Sequence, residues 1–86
     1  MNIIWTQTAW SQYVEWQSKD KSMVKKINEL IKSICRDGIL EGLGKPEPLK
    51  HIKACSRRIN DENRLVYNLD SNGNLVIFAC TGHYED

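Results

Sequence analysis

Met23, Ile27, Leu30, Ile31 and Ile34 recur at steps of three and four residues, while Lys25, Lys26, Glu29 and Lys32 fill the positions between them. At about 3.6 residues per turn this spacing gathers the apolar side chains into one stripe, so the segment reads as an amphipathic helix that must bury that stripe. Asp20 offers an oxygen to cap its start, and Gly38 offers a residue free to end it. The C-terminal half supplies the partner. Runs at 56–60, 64–69 and 74–80 are strand-like and are separated by Asn- and Asp-rich turns, including Asn72-Gly73, so they read as an antiparallel meander. Ahead of the helix, residues 2–5 are short and apolar enough for a first strand. Thr6 or Thr8 can then cap a helix reaching about Gln17, with Trp10, Tyr13 and Trp16 sharing a core-facing side. The expected fold class is α+β in a single domain over 1–86: a short N-terminal strand, two helices, then three antiparallel strands, with the helices on one face of the sheet. A core in 86 residues only just outweighs the entropy of ordering the backbone, so a dimer would be unsurprising.

Composition narrows the class further. A charged fraction of 27% and a hydrophobic fraction of 41% describe a globular chain rather than a disordered one. No apolar run approaches the roughly 20 residues a bilayer requires. The first residues lack the basic region and apolar stretch of an export signal, which makes the cytoplasm the expected compartment. Cys35, Cys55 and Cys80 are odd in number and far apart, so they suit neither a disulfide framework nor a zinc site and read as packed, reduced thiols. The net charge of +1 advertises no nucleic-acid partner through a global field, and any such partner must be met locally.

One local region fits that requirement. From Ile39 to about Cys55 the periodicity stops, and Gly42, Gly44, Pro46 and Pro48 deny helix and sheet continuity. Connections longer than about a dozen residues are usually functional or disordered, and this one carries specific charges. Between Lys45 and Arg64 there are six Lys or Arg residues against three acids, plus His51; that excess of three exceeds the +1 of the whole chain.

Strand alternation assigns these charges to faces. Ile59, Leu65, Tyr67, Leu69, Val76, Phe78 and Cys80 form the expected core set. A three-residue turn at 61–63, with Asn63 left-handed, places Asn60 opposite Arg64 and Arg58 on the face of Arg64. Either a four-residue turn at 70–73 or a two-residue turn at Asn72-Gly73 sets odd positions of the last strand beside even positions of its neighbour. Thr81 and His83 then join the arginines. Arg57 faces away, as a surface charge or salt-bridge partner.

Such a face suits cleavage of RNA by its own ribose 2′-hydroxyl, which needs a base, an acid and cations for the anionic phosphorane. Glu47, stiffened between two prolines, is the candidate base. His83 is the candidate acid, because an ordinary imidazole titrates near pH 6.5. Arg58, Arg64 and Lys50 would hold phosphate oxygens. Plainer readings remain open for each: Glu47 as a solvated loop carboxylate, His83 as a tail residue, and Tyr84 as a stacking platform for a base or a cover for the sheet.

The run GKPEPLKH from Gly44 to His51, SRRI from Ser56, NRLVY from Asn63 and the pair His83-Tyr84 resembles the YoeB toxins of the RelE/ParE superfamily. The pattern WQ..DK..VKKINELIK from Trp16 to Lys32 extends that resemblance over nearly the whole chain. The resemblance implies a RelE-like fold and a ribosome-dependent endoribonuclease, an mRNA interferase that cuts mRNA in the decoding site. It also implies frequent dimerisation, neutralisation by a YefM-type antitoxin, and no metal or other cofactor. Carried over by position, Glu47, Arg64 and His83 are catalytic, Lys50 and Arg58 bind phosphate, and His51 and Tyr84 support RNA binding. This chain departs from the family pattern in two places. Only Ile52, Lys53, Ala54 and Cys55 separate His51 from Ser56, without the usual aromatic, and Thr81 stands where a basic residue is common. The shortened link is expected to alter how Glu47 and Lys50 approach Arg58; a protein of this fold that binds antitoxin or ribosome without cleaving is the alternative.

Overall fold

The structure is a computed structural model and describes residues 1–83. Its elements are β1 (Ile3–Trp5), α1 (Gln7–Lys19), α2 (Lys21–Asp37), β2 (Glu47–Pro48), β3 (Cys55–Arg58), β4 (Arg64–Leu69) and β5 (Leu75–Ala79). The strands form one sheet in the order β1-β5-β4-β3-β2. β1 runs parallel to β5, and the other pairs are antiparallel. The expected three-strand meander is thus the centre of a five-strand mixed sheet. The segment expected to exclude sheet contributes Glu47 opposite Ser56 and Pro48 opposite Cys55. An edge position tolerates Pro48, whose missing N–H costs no ladder bond on the open side.

Asp20 joins the helices with a single residue. Its amide donates to the Trp16 carbonyl at 3.0 Å, closing α1, and its carboxylate accepts from the Ser22 amide at 3.0 Å and the Ser22 hydroxyl at 2.6 Å, opening α2. The bonds from Ser22 hold the Asp20 carboxyl below its usual range. A carboxyl depressed in the folded state stabilises above its unfolded pKa, and that contribution is lost as pH falls through the folded value. Asp20→Asn keeps a capping oxygen without the charge. It is expected to lose less thermal stability than the parent chain as pH falls below the ordinary aspartate value of about 4, and equal losses in paired melts would remove Asp20 from the acid response.

The core lies between the helices and one face of the sheet. Ala9, Trp16, Met23, Ile27, Leu30, Ile31 and Ile34 meet Cys55, Ile59, Leu65, Tyr67, Leu75, Ile77 and Cys80. The Trp16 indole donates to the Cys80 carbonyl at 3.1 Å. Trp10 does not join this core: it is half-exposed and packs against Trp5 and Tyr13 instead. Cys55 and Cys80 are buried free thiols, as expected, and burial pushes the Cys80 thiol up to about 11; Cys35 is exposed. Among the described residues no helix is long and apolar enough to cross a membrane.

The expected core set needs correction on the last strand. Leu75 and Ile77 are fully buried, whereas Val76 is half-buried and Phe78 and Leu69 are 39% exposed. The cause is the connection at 70–74, in which the Asp70 carboxylate accepts from the amides of Asn72 at 2.8 Å and Asn74 at 2.9 Å. Five residues therefore separate Leu69 from its partner Leu75, and odd positions pair with odd. A bulge then intervenes, with Tyr67 opposite Ile77 but Val66 opposite Ala79. Phe78 is the extra residue, and the expected odd-beside-even pairing holds only beyond it.

The first hairpin is also longer than expected. Arg58 pairs directly with Arg64 across residues 59–63, closed by the Ile59 amide on the Asn63 carbonyl at 2.9 Å and by the Asn60 side chain accepting from the Glu62 and Asn63 amides. Asn63 is not left-handed; the one described non-glycine residue with positive φ is Lys45, at 53°. Arg58 and Arg64 share a face, as alternation required.

Candidate functional site

On β3 and β4 the odd positions feed the core, so the even positions occupy the face turned from the helices, and on β2 Glu47 joins that face because it pairs with Ser56. Register sets Glu47 beside Ser56, Ser56 beside Val66, and Arg58 beside Arg64. Arg64 lies along this face. Its Nε donates to the buried Ser56 hydroxyl at 3.0 Å, and its Nη2 stands 3.3 Å from the Glu47 carboxylate. The Arg64 side chain is 15% exposed and that of Glu47 60%, so a largely covered cation holds an open carboxylate.

Arg58 is exposed and is ion-paired with Asp61, three residues on in the same turn. An exposed pair of this kind is worth about 0–1 kcal/mol, so an anionic ligand could take Asp61's place at small cost. His83 is exposed and follows Gly82, whose carbonyl accepts from the Arg64 amide at 3.0 Å and whose amide donates to the Asn63 side chain at 2.8 Å. These bonds tether the backbone before His83 to the start of β4. Lys50 and His51 are exposed in the turn between β2 and β3, closed by the Leu49 amide on the Ala54 carbonyl at 2.9 Å. Tyr84 lies outside the described residues.

The structure thus brings Glu47, Arg58, Arg64 and the backbone leading to His83 to one part of the sheet, with Lys50 and His51 on the turn after Glu47. The shortened connection does not separate them. It closes a tight hairpin whose register fixes Glu47 opposite Ser56, within reach of Arg64.

Arg57 is a correction. Expected at the surface, it is fully buried and spends all five N–H groups inside. Nε donates to the Tyr67 hydroxyl at 2.9 Å, Nη1 to the Ser33 hydroxyl at 3.0 Å and the Leu43 carbonyl at 2.8 Å, and Nη2 to the carbonyls of Gly38 at 2.7 Å and Glu41 at 2.6 Å. Burial holds the Tyr67 pKa above its ordinary value, leaving a neutral hydroxyl that donates to the Ile39 carbonyl at 2.5 Å. The signal that could have found Arg57 was parity: if Arg58 faces out with Arg64, Arg57 must face the core. Ser56, the seat of Arg64, was missed for lack of any charge.

Comparison with known proteins places this geometry. The family described as the YoeB-like toxin of bacterial type II toxin-antitoxin systems matches residues 5–84. The chain is 51% identical over 86 residues to Toxin YoeB of Escherichia coli (strain K12), covering 98% of this chain and 100% of that one. It is 46% identical over 87 residues to Toxin YoeB of Synechocystis, covering 99% of each. It superposes on the YoeB dimer from Staphylococcus aureus with a TM-score of 0.91 at 50% identity, covering 98% of each chain. Against the heterotetrameric YoeB-YefM complex from the same organism the TM-score is 0.88 at 52% identity, again covering 98% of each. The architecture is the RelE-like α+β fold. The chain belongs to the YoeB toxin family of bacterial type II toxin-antitoxin systems, within the RelE/ParE superfamily.

Proposed function

We propose that the protein is a ribosome-dependent endoribonuclease that inhibits translation by cutting mRNA in the decoding site. The observation that carries this reading is the Glu47–Arg64 pair seated on Ser56, a carboxylate and a covered guanidinium side by side on an open sheet face. Glu47 takes the proton of the ribose 2′-hydroxyl, whose oxygen attacks the adjacent phosphorus. Arg64, Arg58 and Lys50 hold the phosphate oxygens as negative charge builds in the phosphorane. His83 gives a proton to the departing 5′-oxygen, leaving a 2′,3′-cyclic phosphate upstream and a 5′-hydroxyl downstream. Every proton and charge in this scheme is handled by a side chain, with no metal or cofactor. His51 and Tyr84 support the RNA, Tyr84 by stacking on a base.

The partners are those of the family: mRNA and the ribosome as substrate and platform, a YefM-type antitoxin as inhibitor, and a second copy of the chain as dimer mate. The solved structures of a YoeB dimer and of a YoeB-YefM complex from Staphylococcus aureus support the last two. The workplace is the cytoplasm, where ribosomes translate.

Induced expression, with and without the antitoxin, tests the proposal. Growth should stop, primer extension on translated mRNA should show new 5′ ends within codons, and co-expressed antitoxin should reverse both. Antitoxin binding with no new 5′ end would favour a toxin-fold protein that binds without cleaving.

A further inference from the structure

The proposed reaction leaves Arg57 without a part, although it is the largest fully buried side chain and sits between two residues of the site. We infer that Arg57 is a positioning residue: its guanidinium is the template around which segment 38–46 folds, and the shape of that segment delivers Glu47 to Arg64. The inference rests on reading Glu47 as the base of the proposed reaction.

The segment has no regular structure of its own before β2. Its carbonyls from Gly38, Glu41 and Leu43 turn inward onto Arg57, and that of Ile39 turns onto Tyr67, which Arg57 also holds. The Leu43 amide donates at 3.0 Å to the Ser33 hydroxyl, the same oxygen that accepts from Arg57. A loop that would otherwise direct its carbonyls to water is moulded on one planar cation.

The mould continues toward Glu47. The Gly44 carbonyl accepts from the Arg58 amide at 2.7 Å. Gly44 has a φ of +84°, and a Cβ there would stand 2.7 Å from Leu30 Cδ2, 3.1 Å from Arg57 Cβ and 3.2 Å from the Arg58 carbonyl oxygen. Only glycine fits this approach. Lys45 then takes a φ of +53° directly before Pro46, a conformation that non-glycine residues adopt where the surroundings impose it. One residue later the chain enters β2 at Glu47.

Arg57 works on one face of β3 while its neighbour Ser56 works on the other, holding Arg64. The same short strand therefore fixes both members of the Glu47–Arg64 pair. Lysine at 57 would keep the charge but has three donors on a tetrahedral head, against five acceptors spread around a plane. A displacement of about 1 Å at a reacting group is enough to cost about a hundredfold in rate.

The test uses the full-length chain on programmed ribosomes, with toxin titrated under single-turnover conditions so that maximal rate and half-saturating concentration separate. Arg57→Lys is expected to lower the maximal rate about a hundredfold with half-saturation unchanged. Its crystal structure should show Glu47 beyond about 4 Å from Arg64. Tyr67→Phe, which removes one acceptor of Arg57 and the donor to Ile39, should lower the rate by about tenfold, and it carries both measurements if Arg57→Lys fails to fold. Ile27→Ala, a core deletion in the first half of α2, should lower the melting temperature and leave the rate at the parent value. Wild-type rates in the Arg57 and Tyr67 variants would overturn the inference, as would lost activity with Glu47 still against Arg64. If the parent chain itself cuts no mRNA, the functional reading fails, and the Glu47–Arg64 separation in the variant structures alone decides whether Arg57 positions that pair.

Discussion

Replacing His83 with alanine is expected to slow cleavage of ribosome-bound mRNA by about a hundred- to ten-thousandfold, the range that one general acid or base supplies. Its thermal unfolding should not change. His83 is exposed and lies beyond β5, and the bonds just before it run from the Gly82 backbone to the Arg64 amide and the Asn63 side chain. Glu47→Ala should lose activity on a similar scale at the opposite end of the reaction. Glu47 is 60% exposed and its pairing with Arg64 adds little stability, so this variant should also fold. Single-turnover rates beside melting curves check both. Parent-like cleavage by either variant would strip that residue of its proposed role.

The second large effect falls on stability. Arg57→Met is expected to cost about 3–5 kcal/mol, because it leaves inward-facing carbonyls and the Ser33 and Tyr67 hydroxyls without their donor. A domain of this size has about 5–15 kcal/mol in total, so the variant sits at the edge of folding. Arg58→Met, one residue along the chain, should change stability by about 0–1 kcal/mol, since Arg58 is exposed and its ion pair is with exposed Asp61. Urea unfolding of the two variants separates them. Equal midpoints would mean that the buried network is not what holds the segment between α2 and β2.

The contrast between adjacent arginines also shows where sequence reasoning reached and where it stopped. The stripe from Met23 to Ile34 and the alternation in β3 and β4 were legible because burial on one side repeats with the period of the element. Family motifs added Glu47 and Lys50, which no periodicity touches. Arg57 is misread when charge alone stands for exposure, although the parity that turns Arg58 outward already turns Arg57 in. Its acceptors are mostly backbone carbonyls of an irregular loop, and carbonyls have no signature in a sequence.

The last strand failed for a different reason. The turn at 70–74 has five residues because Asp70 closes it with its own side chain, and a one-residue change in a turn reverses every side chain beyond it. The bulge at Phe78 then reverses them back. Two unforeseen irregularities cancel by Ala79, so Cys80 is buried as expected while Leu75 and Ile77 were placed on the wrong face. β2 escaped notice because two residues between prolines carry no strand pattern; only pairing with β3 makes them one.

If Glu47, Arg64 and His83 cut RNA through its own 2′-hydroxyl, removing that one hydroxyl must stop the reaction. The most direct measurement compares two ribosome-bound mRNAs that differ only at the cut nucleotide, one with ribose and one with 2′-deoxyribose. The ribose message should be cut at one position, giving a downstream fragment with a 5′-hydroxyl, and the deoxy message should stay whole. Cleavage of both at equal rates would contradict this chemistry.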